Sequence, residues 1–255
     1  MSSIRKAVIP SAGLGKRMQP LTRVIPKEML PLGRKPILQF IVEELQAGGI
    51  EEILIVTRED KPTIQRYFKS WKGVDFIHEN HSRGLGYAVL MAKEFVGEEN
   101  FVVALADAFI GGEKPAEYVS DLMRTHEELG AALTMAIYQV PIKETHLRGI
   151  VDPVGEITPG EPVKIQDMRE KPDSESAPST WAGVGRYIFT PAIFDALEDS
   201  PPDPQGEYQL TDGIRLLIRS GKPAYGFPLY PGQIRFDTGN FAGYIKAFKY
   251  FLTKG

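Results

Sequence analysis

A chain of 255 residues, 42% hydrophobic and 25% charged, has ordinary globular proportions and is long enough for one large α/β domain or two small ones. Its formal net charge of −3, with acids and bases interspersed, gives no support to non-specific binding of nucleic acid or anionic membrane. The lack of cysteine removes disulfides, thiolate zinc sites and cysteine nucleophiles together, and His78, His81, His126 and His146 lack the spacing of a metal cage.

In chain order, Met1–Lys6 leads into an apolar run too short for a signal-peptide core. No stretch approaches the ~20 apolar residues of a membrane span, so a cytoplasmic protein is expected. Lys6–Ala12 has strand character and runs into the small turn around Gly13 and Gly15, with Lys16 and Arg17 immediately behind. Ala12, Gly13 and Gly15 carry so little side chain that their backbone N–H groups can approach a phosphate or a base edge. Arg17 offers a planar fork and Lys27 a mobile point charge, both suited to a polyphosphate. This is the chemistry of a nucleotide site. It is not a Walker A loop, because Lys16 is followed by Arg17, and not a dinucleotide fingerprint, because Met18 stands where a third glycine is needed.

Downstream, Pro36 opens a helical pattern through Ile37, Ile41, Val42 and Leu45 that closes at Gly48-Gly49. Glu52–Thr57 is a continuous apolar strand of the kind buried on both faces. A short helix to Phe68, a strand at Val74–Glu79, a helix at Gly86–Val96 and a strand at Phe101–Ala106 follow. A helix at Pro115–Leu129 and a strand at Ala131–Val140 complete the alternation, which predicts a doubly wound, mainly parallel, Rossmann-like sheet. Beyond Pro141 it stops. Gly149–Val151, Val163–Met168 and Gly183–Phe189 are expected to form a small antiparallel addition across the sheet edge, hosting a second substrate. Helices at Thr190–Glu198, Tyr208–Ser220 and Gly239–Leu252 and a strand at Ala224–Tyr230 finish the chain, with surface loops at Asp173–Ser179 and Ser200–Gly206. The expected organisation is a single domain, 1–255, with a nucleotide-binding half at 1–140 and a sugar-phosphate half at 141–255.

Asp107 ends a buried parallel strand, where open α/β sheets bind ligands. Mg²⁺ favours one or two carboxylates plus phosphate oxygens and water, so Asp107 is a candidate ligand; a plain helix N-cap is the alternative. Asp237, just before the last helix, would by itself be read as an N-cap.

The whole string Gly13-Leu14-Gly15-Lys16-Arg17-Met18 with Pro26-Lys27-Glu28-Met29-Leu30 resembles the signature of the sugar-phosphate nucleotidylyltransferases, and within them the uridylyl-transferring branch. Further segments match in chain order, from Lys6 to about Phe251. They are Arg83-Gly84-Leu85-Gly86, Gly149-Ile150-Val151-Asp152, Glu170-Lys171-Pro172, Ala182-Gly183-Val184-Gly185-Arg186-Tyr187, Glu207-Tyr208-Gln209-Leu210-Thr211-Asp212 and Asp237-Thr238-Gly239-Asn240. The resemblance implies UTP and glucose 1-phosphate as substrates, UDP-glucose and pyrophosphate as products, Mg²⁺ as cofactor and a homo-oligomer. It assigns Arg17, Lys27 and Asp107 to catalysis, and Asp107 with Asp237 to the metal. Ala12, Gly13, Gly15, Glu79 and Gly84 fall to the nucleotide, and Gly149, Glu170, Lys171, Gly183 and Glu207 to the sugar phosphate.

Three positions depart from the pattern: Lys16 where the family has threonine, Ala106 where it has proline, and Glu79 where its uridylyl- and thymidylyl-transferring members place glutamine. An amide both donates and accepts against uracil, whereas a carboxylate only accepts. Glu79 would serve uracil N3–H but repel O4, and it suits guanine or cytosine better. GTP, CTP, dTTP or another sugar 1-phosphate therefore stay open, as does a catalytically silent nucleotide-sugar-binding regulatory protein.

Overall fold

The computed structural model describes residues 2–254; Met1 and Gly255, the ends of the expected domain, lie outside the described residues. The first half comprises β1 (Lys6–Pro10), the two-residue strands β2 (Pro31–Leu32) and β3 (Lys35–Pro36), α1 (Ile37–Ala47), β4 (Glu52–Thr57), α2 (Pro62–Phe68), β5 (Val74–His78), α3 (Leu85–Leu90), α4 (Lys93–Val96) and β6 (Phe101–Ala104). Then come β7 (Ala108–Gly111), α5 (Pro115–Glu128), β8 (Leu133–Gln139), β9 (Gly149–Pro153), β10 (Val163–Glu170) and β11 (Trp181–Phe189). The chain closes with α6 (Ala192–Glu198), α7 (Leu210–Arg219), β12 (Ala224–Pro228), β13 (Ile234–Asp237) and α8 (Phe241–Lys254).

Nine strands form one sheet in the order β5-β4-β1-β6-β11-β8-β12-β10-β9. β5, β4, β1 and β6 run parallel, as do β8 and β12, while β11 lies antiparallel between β6 and β8. Side chains alternate across a strand, and here both faces are apolar. Ala7 and Ile9 of β1, with Ile53 and Ile55 of β4, pack under α1, α5 and α8; Val8, Leu54 and Val56 face the other way, against α3, α6 and α7. The result is a three-layer α/β sandwich with two large cores and a small third cluster of Val140, Ile150 and Ala182. No helix among the described residues is long and apolar enough to cross a membrane.

Three details differ from the sequence expectation. The 86–96 helix is broken into α3 and α4, because the Ala92 N–H bonds Val89 O three residues back and tightens the turn. The ribbon of β7 with β13 is new, and its register sets Asp237 opposite Ala108. Third, only β9 and β10 lie at the sheet edge, whereas β11 enters the middle. Seven of its nine residues are buried, the mark of a central strand rather than an edge.

The register of β11 shifts between Gly183 and Tyr187, around Gly185 at φ +104°. A Cβ at Gly185 would sit 3.1 Å from both Leu105 and Ala108, so glycine is what lets the turn carrying Asp107 pack there. Next to it, Arg186 is fully buried. Its Nε and Nη2 donate to the two carboxylate oxygens of Glu44 at 2.8 and 3.0 Å, and its Nη1 donates to the carbonyls of Ala108 and Gly185. One side chain thus joins α1, β11 and the start of β7.

Stripping one partner from such a pair leaves a bare buried charge, at about 3–5 kcal/mol, whereas replacing both by apolar groups is often neutral. Arg186→Met should therefore lower the melting temperature by roughly 10 °C. The double variant Arg186→Met/Glu44→Leu should recover much of that loss in thermal unfolding followed by circular dichroism. Equal losses in the two variants would show that the pair matters only through the carbonyls it caps.

Candidate active site

A cavity of about 690 Å³ opens at the carboxyl ends of β1 and β6, and every site residue singled out from the sequence lines it. On one wall lies the turn after β1. Its Ala12, Gly13, Leu14 and Gly15 N–H groups find no acceptor among the described residues. A Cβ added at Gly13 would meet nothing within 4 Å, so this backbone faces open space. Unpaired amides in a glycine-bearing turn form a cradle for phosphate oxygens or a base edge.

Beside the turn stand the acids. Asp107 follows β6, and the β7–β13 ribbon carries Asp237 next to it; Thr238 seals the join by donating its N–H and hydroxyl to Asp107 O. The two carboxylates converge. A Cβ on Gly239 would lie 2.6 Å from Asp107 Oδ2, 3.1 Å from Asp237 Oδ1 and 3.0 Å from Arg17 Nη2. The absent side chain leaves a space bounded by two hard oxygens, the donors a divalent cation takes, with the Arg17 guanidinium at its rim suited to a phosphate rather than to the metal. Among the described residues no cluster of three such ligands occurs, so the protein's share would be two carboxylates.

Lys27 Nζ bonds Asp107 Oδ2 at 2.5 Å. Burial by itself would raise the Asp107 carboxyl, but the Lys27 ammonium, aided by Arg235 and Arg17, overrides it and holds the value at about 2. Burial likewise pulls Lys27 down, and Asp107 and Glu28 outweigh it, leaving the ammonium raised. Asp107 is thus ionised throughout the neutral range, the state a metal ligand requires.

The opposite wall comes from the second half of the chain. Glu170 accepts the Thr211 hydroxyl at 2.7 Å and pairs with Lys171 at 2.9 Å. Lys171 is exposed, and its backbone is left-handed at φ +46°, held by its N–H on Arg148 O. Gly149 faces Glu170 and Thr211; a Cβ there would lie 3.4 and 3.6 Å from their oxygens. Gly183 abuts Met135 and the Tyr187 hydroxyl. Glu207 sits in the loop that Asp203 organises by accepting the N–H groups of Gln205 and Glu207.

Two sequence assignments change meaning here. Gly84 lines the cavity, but its missing side chain is required by the second half of the chain. At φ +95°, its Cβ would fall 2.7 Å from Tyr208 O and 2.9 Å from Glu207 Cβ, and two residues on the Gly86 N–H donates to Tyr208 O. Glu79, only 2% exposed, turns its carboxylate onto its own loop: Oε1 accepts the His81 N–H at 2.7 Å and Oε2 the Ser82 N–H at 3.0 Å. A glutamine offers a single acceptor oxygen and would leave one of these amides facing its NH₂. The carboxylate thus has a reason to be there that is independent of any base.

Sequence reasoning missed Arg148, Arg235 and Lys61. Arg148 Nη1 and Arg235 Nη1 approach Asp237 Oδ2 at 2.9 and 3.4 Å. Arg235 stands two residues from Asp237 on one strand, a same-face spacing that the sequence displays. The links of Arg148 and Lys61 span distant segments and have no such signal.

A turn of unpaired amides after the first strand, paired carboxylates beside it and a separate wall bearing Glu170 and Lys171 have the chemistry of a nucleotide-dependent group-transfer protein. The chain belongs to the nucleotidyl transferase family, whose profile matches residues 6–254. It is 38% identical to UTP–glucose-1-phosphate uridylyltransferase of Mycoplasma pneumoniae, covering 100% of this chain and 94% of that one. It is 41% identical to UTP–glucose-1-phosphate uridylyltransferase of Streptococcus pneumoniae, covering 96% and 89%. Among solved structures, UTP-bound UGPase from Acinetobacter baumannii superposes with a TM-score of 0.89 at 30% identity, over 99% of this chain and 94% of that one. UDP-glucose pyrophosphorylase complexed with UDP-glucose gives 0.88 at 32%, over 99% and 100%.

Gly239→Ala tests the cradle. The backbone there is not left-handed, so the variant should melt near wild type while its methyl group intrudes between the carboxylates. Turnover, followed as pyrophosphate release, should fall by ~100-fold or more. Undiminished turnover would mean that the space between Asp107 and Asp237 is not used.

Proposed function

We infer that the protein joins UTP to glucose 1-phosphate, giving UDP-glucose and pyrophosphate. One observation carries this: a single cleft holds an unpaired amide cradle with two converging carboxylates on one wall and Glu170 with Lys171 on the other, in a chain similar to uridylyltransferases over nearly its whole length. The first wall takes the nucleotide and the second the sugar phosphate. Family resemblance supports a cytoplasmic location and homo-oligomeric assembly.

The phosphate oxygen of glucose 1-phosphate attacks the α-phosphorus of UTP in line. A new P–O bond forms as the bond to the bridging α–β oxygen breaks, and pyrophosphate leaves with that electron pair. The dianionic phosphate is already a nucleophile, so no general base is needed, and catalysis consists of positioning and charge neutralisation. The turn amides and Arg17 hold the triphosphate, Lys27 lies on the charge that develops, and Lys171 grips the acceptor phosphate. Asp107 and Asp237 would hold Mg²⁺, whose chemistry when bound is to neutralise and align the phosphate oxygens.

Lys171→Ala should raise the KM for glucose 1-phosphate by about tenfold or more, as loss of a charge-assisted contact implies, and leave that for UTP nearly unchanged. Equal effects on both substrates would place Lys171 elsewhere.

Base choice is decided by kcat/KM for UTP, dTTP, CTP, GTP and ATP with glucose 1-phosphate. UTP should lead, and a wild-type preference for GTP or CTP would overturn the uridylyl assignment. Because Glu79 clasps its own loop, Glu79→Gln should leave the ranking of the five triphosphates unchanged and instead cost stability, about 1–3 kcal/mol for one buried unpaired amide. A selective gain for UTP and dTTP would instead put the carboxylate on the base edge.

A further inference from the structure

The turn after β1 is a thin wall. Gly13, Leu14 and Gly15 line the main cleft on one side and a second cavity of about 280 Å³ on the other. Packing therefore cannot set the orientation of its peptide planes, and specific polar contacts must. The Thr22 hydroxyl, donating to Gly15 O at 2.9 Å, supplies one. Lys61, the residue before α2, supplies the rest. Its side chain is almost wholly buried, and Nζ donates to Ser11 O and to Gly13 O, both at 2.7 Å, while Glu28 holds it from behind with both oxygens at 3.2 Å. An ammonium has three hydrogens, and two carbonyls and a carboxylate use all of them.

In a trans peptide the C=O and the following N–H point in opposite directions, and these peptides are trans. With the carbonyls of Ser11 and Gly13 pulled toward Lys61, the N–H groups of Ala12 and Leu14 are aimed away from it, and neither has an acceptor among the described residues. We propose that Lys61 is a positioning residue for the nucleotide: braced by Glu28, it turns the carbonyls of the glycine-bearing turn out of the cleft and so presents two amides to the triphosphate. Glu28 follows Lys27, so the same ion pair also ties the turn to the segment that carries the cation paired with Asp107. The inference rests on the nucleotide occupying this wall.

The test uses the full-length protein, with UTP and glucose 1-phosphate varied separately. Lys61→Met leaves Glu28 buried without a partner and is a risk to folding, so Lys61→Met/Glu28→Gln is made beside it. A folded variant should show a KM for UTP raised about tenfold or more, the effect of losing oriented donors, with the KM for glucose 1-phosphate changed less than about twofold. A KM for UTP within about twofold of wild type overturns the proposal, and so does an equal rise for both substrates, which would make Lys61 a structural support only. An independent readout needs no variant. In the wild type, the ¹⁵N–¹H signals of Ala12 and Leu14 should shift on adding UTP and Mg²⁺; signals that stay in place at saturation overturn the proposal. A wild type that turns over no triphosphate would bring down the functional reading itself, whereas a wild type using a different base calls for the same measurements with that triphosphate.

Discussion

The buried guanidinium of Arg186 is the contact on which the rest of the site depends. A charge wholly removed from water is tolerable only when its donors are met, and here Glu44 and two backbone carbonyls meet them. That requirement places β11 over α1 and pins the start of β7. The turn bearing Asp107 is then fixed between the parallel strand β6 and the antiparallel strand β11. Because β7 pairs with β13, Asp237 follows into place from the far end of the chain. Inserting one strand from the second half into the sheet of the first is what makes a single cleft from two walls.

The cleft is electrically balanced. Six basic and six acidic side chains line it, so it has no net charge with which to draw a bare polyphosphate. Four of these six acids already hold a cation: Asp107 has Lys27, Asp237 has Arg148 and Arg235, Glu170 has Lys171, and Glu28 has Lys61. Under the proposed function, a nucleotide arriving with a divalent metal would bring a cation for the two aspartates and anions for the bases paired with them. Such an exchange of partners suits a metal–nucleotide complex better than either ion by itself.

The glycines of the matched segments answer to different constraints. Gly13 leaves its backbone facing open space, Gly239 leaves room between two carboxylates, and Gly84 lets the backbone of Tyr208 approach. Gly185 lets one strand bulge over the Asp107 turn. The first two face the candidate site; the other two join the halves of the protein. Composition and spacing cannot separate these cases, because the distinguishing atom belongs to a remote segment.

Local pattern by itself determined a good deal. The apolar runs of β1, β4 and β6, alternating with helices, specify a doubly wound sheet, since a strand buried on both faces must be apolar throughout. That the glycine turn, Arg17, Lys27 and Asp107 would gather in one cleft was legible because carboxyl ends of parallel strands are where such sheets bind ligands. Tertiary structure decided the rest. The central place of β11 depends on pairing across distant segments. The link of Arg148 to Asp237 joins residues far apart in the chain, and so does that of Lys61 to the carbonyls of Ser11 and Gly13. The inward turn of Glu79 depends on the path of its loop through His81 and Ser82. A residue type announces what chemistry is available; which partner it meets is settled only when the sheet has closed, because hydrogen bonds and ion pairs act over a few ångströms and sequence distance says nothing about those.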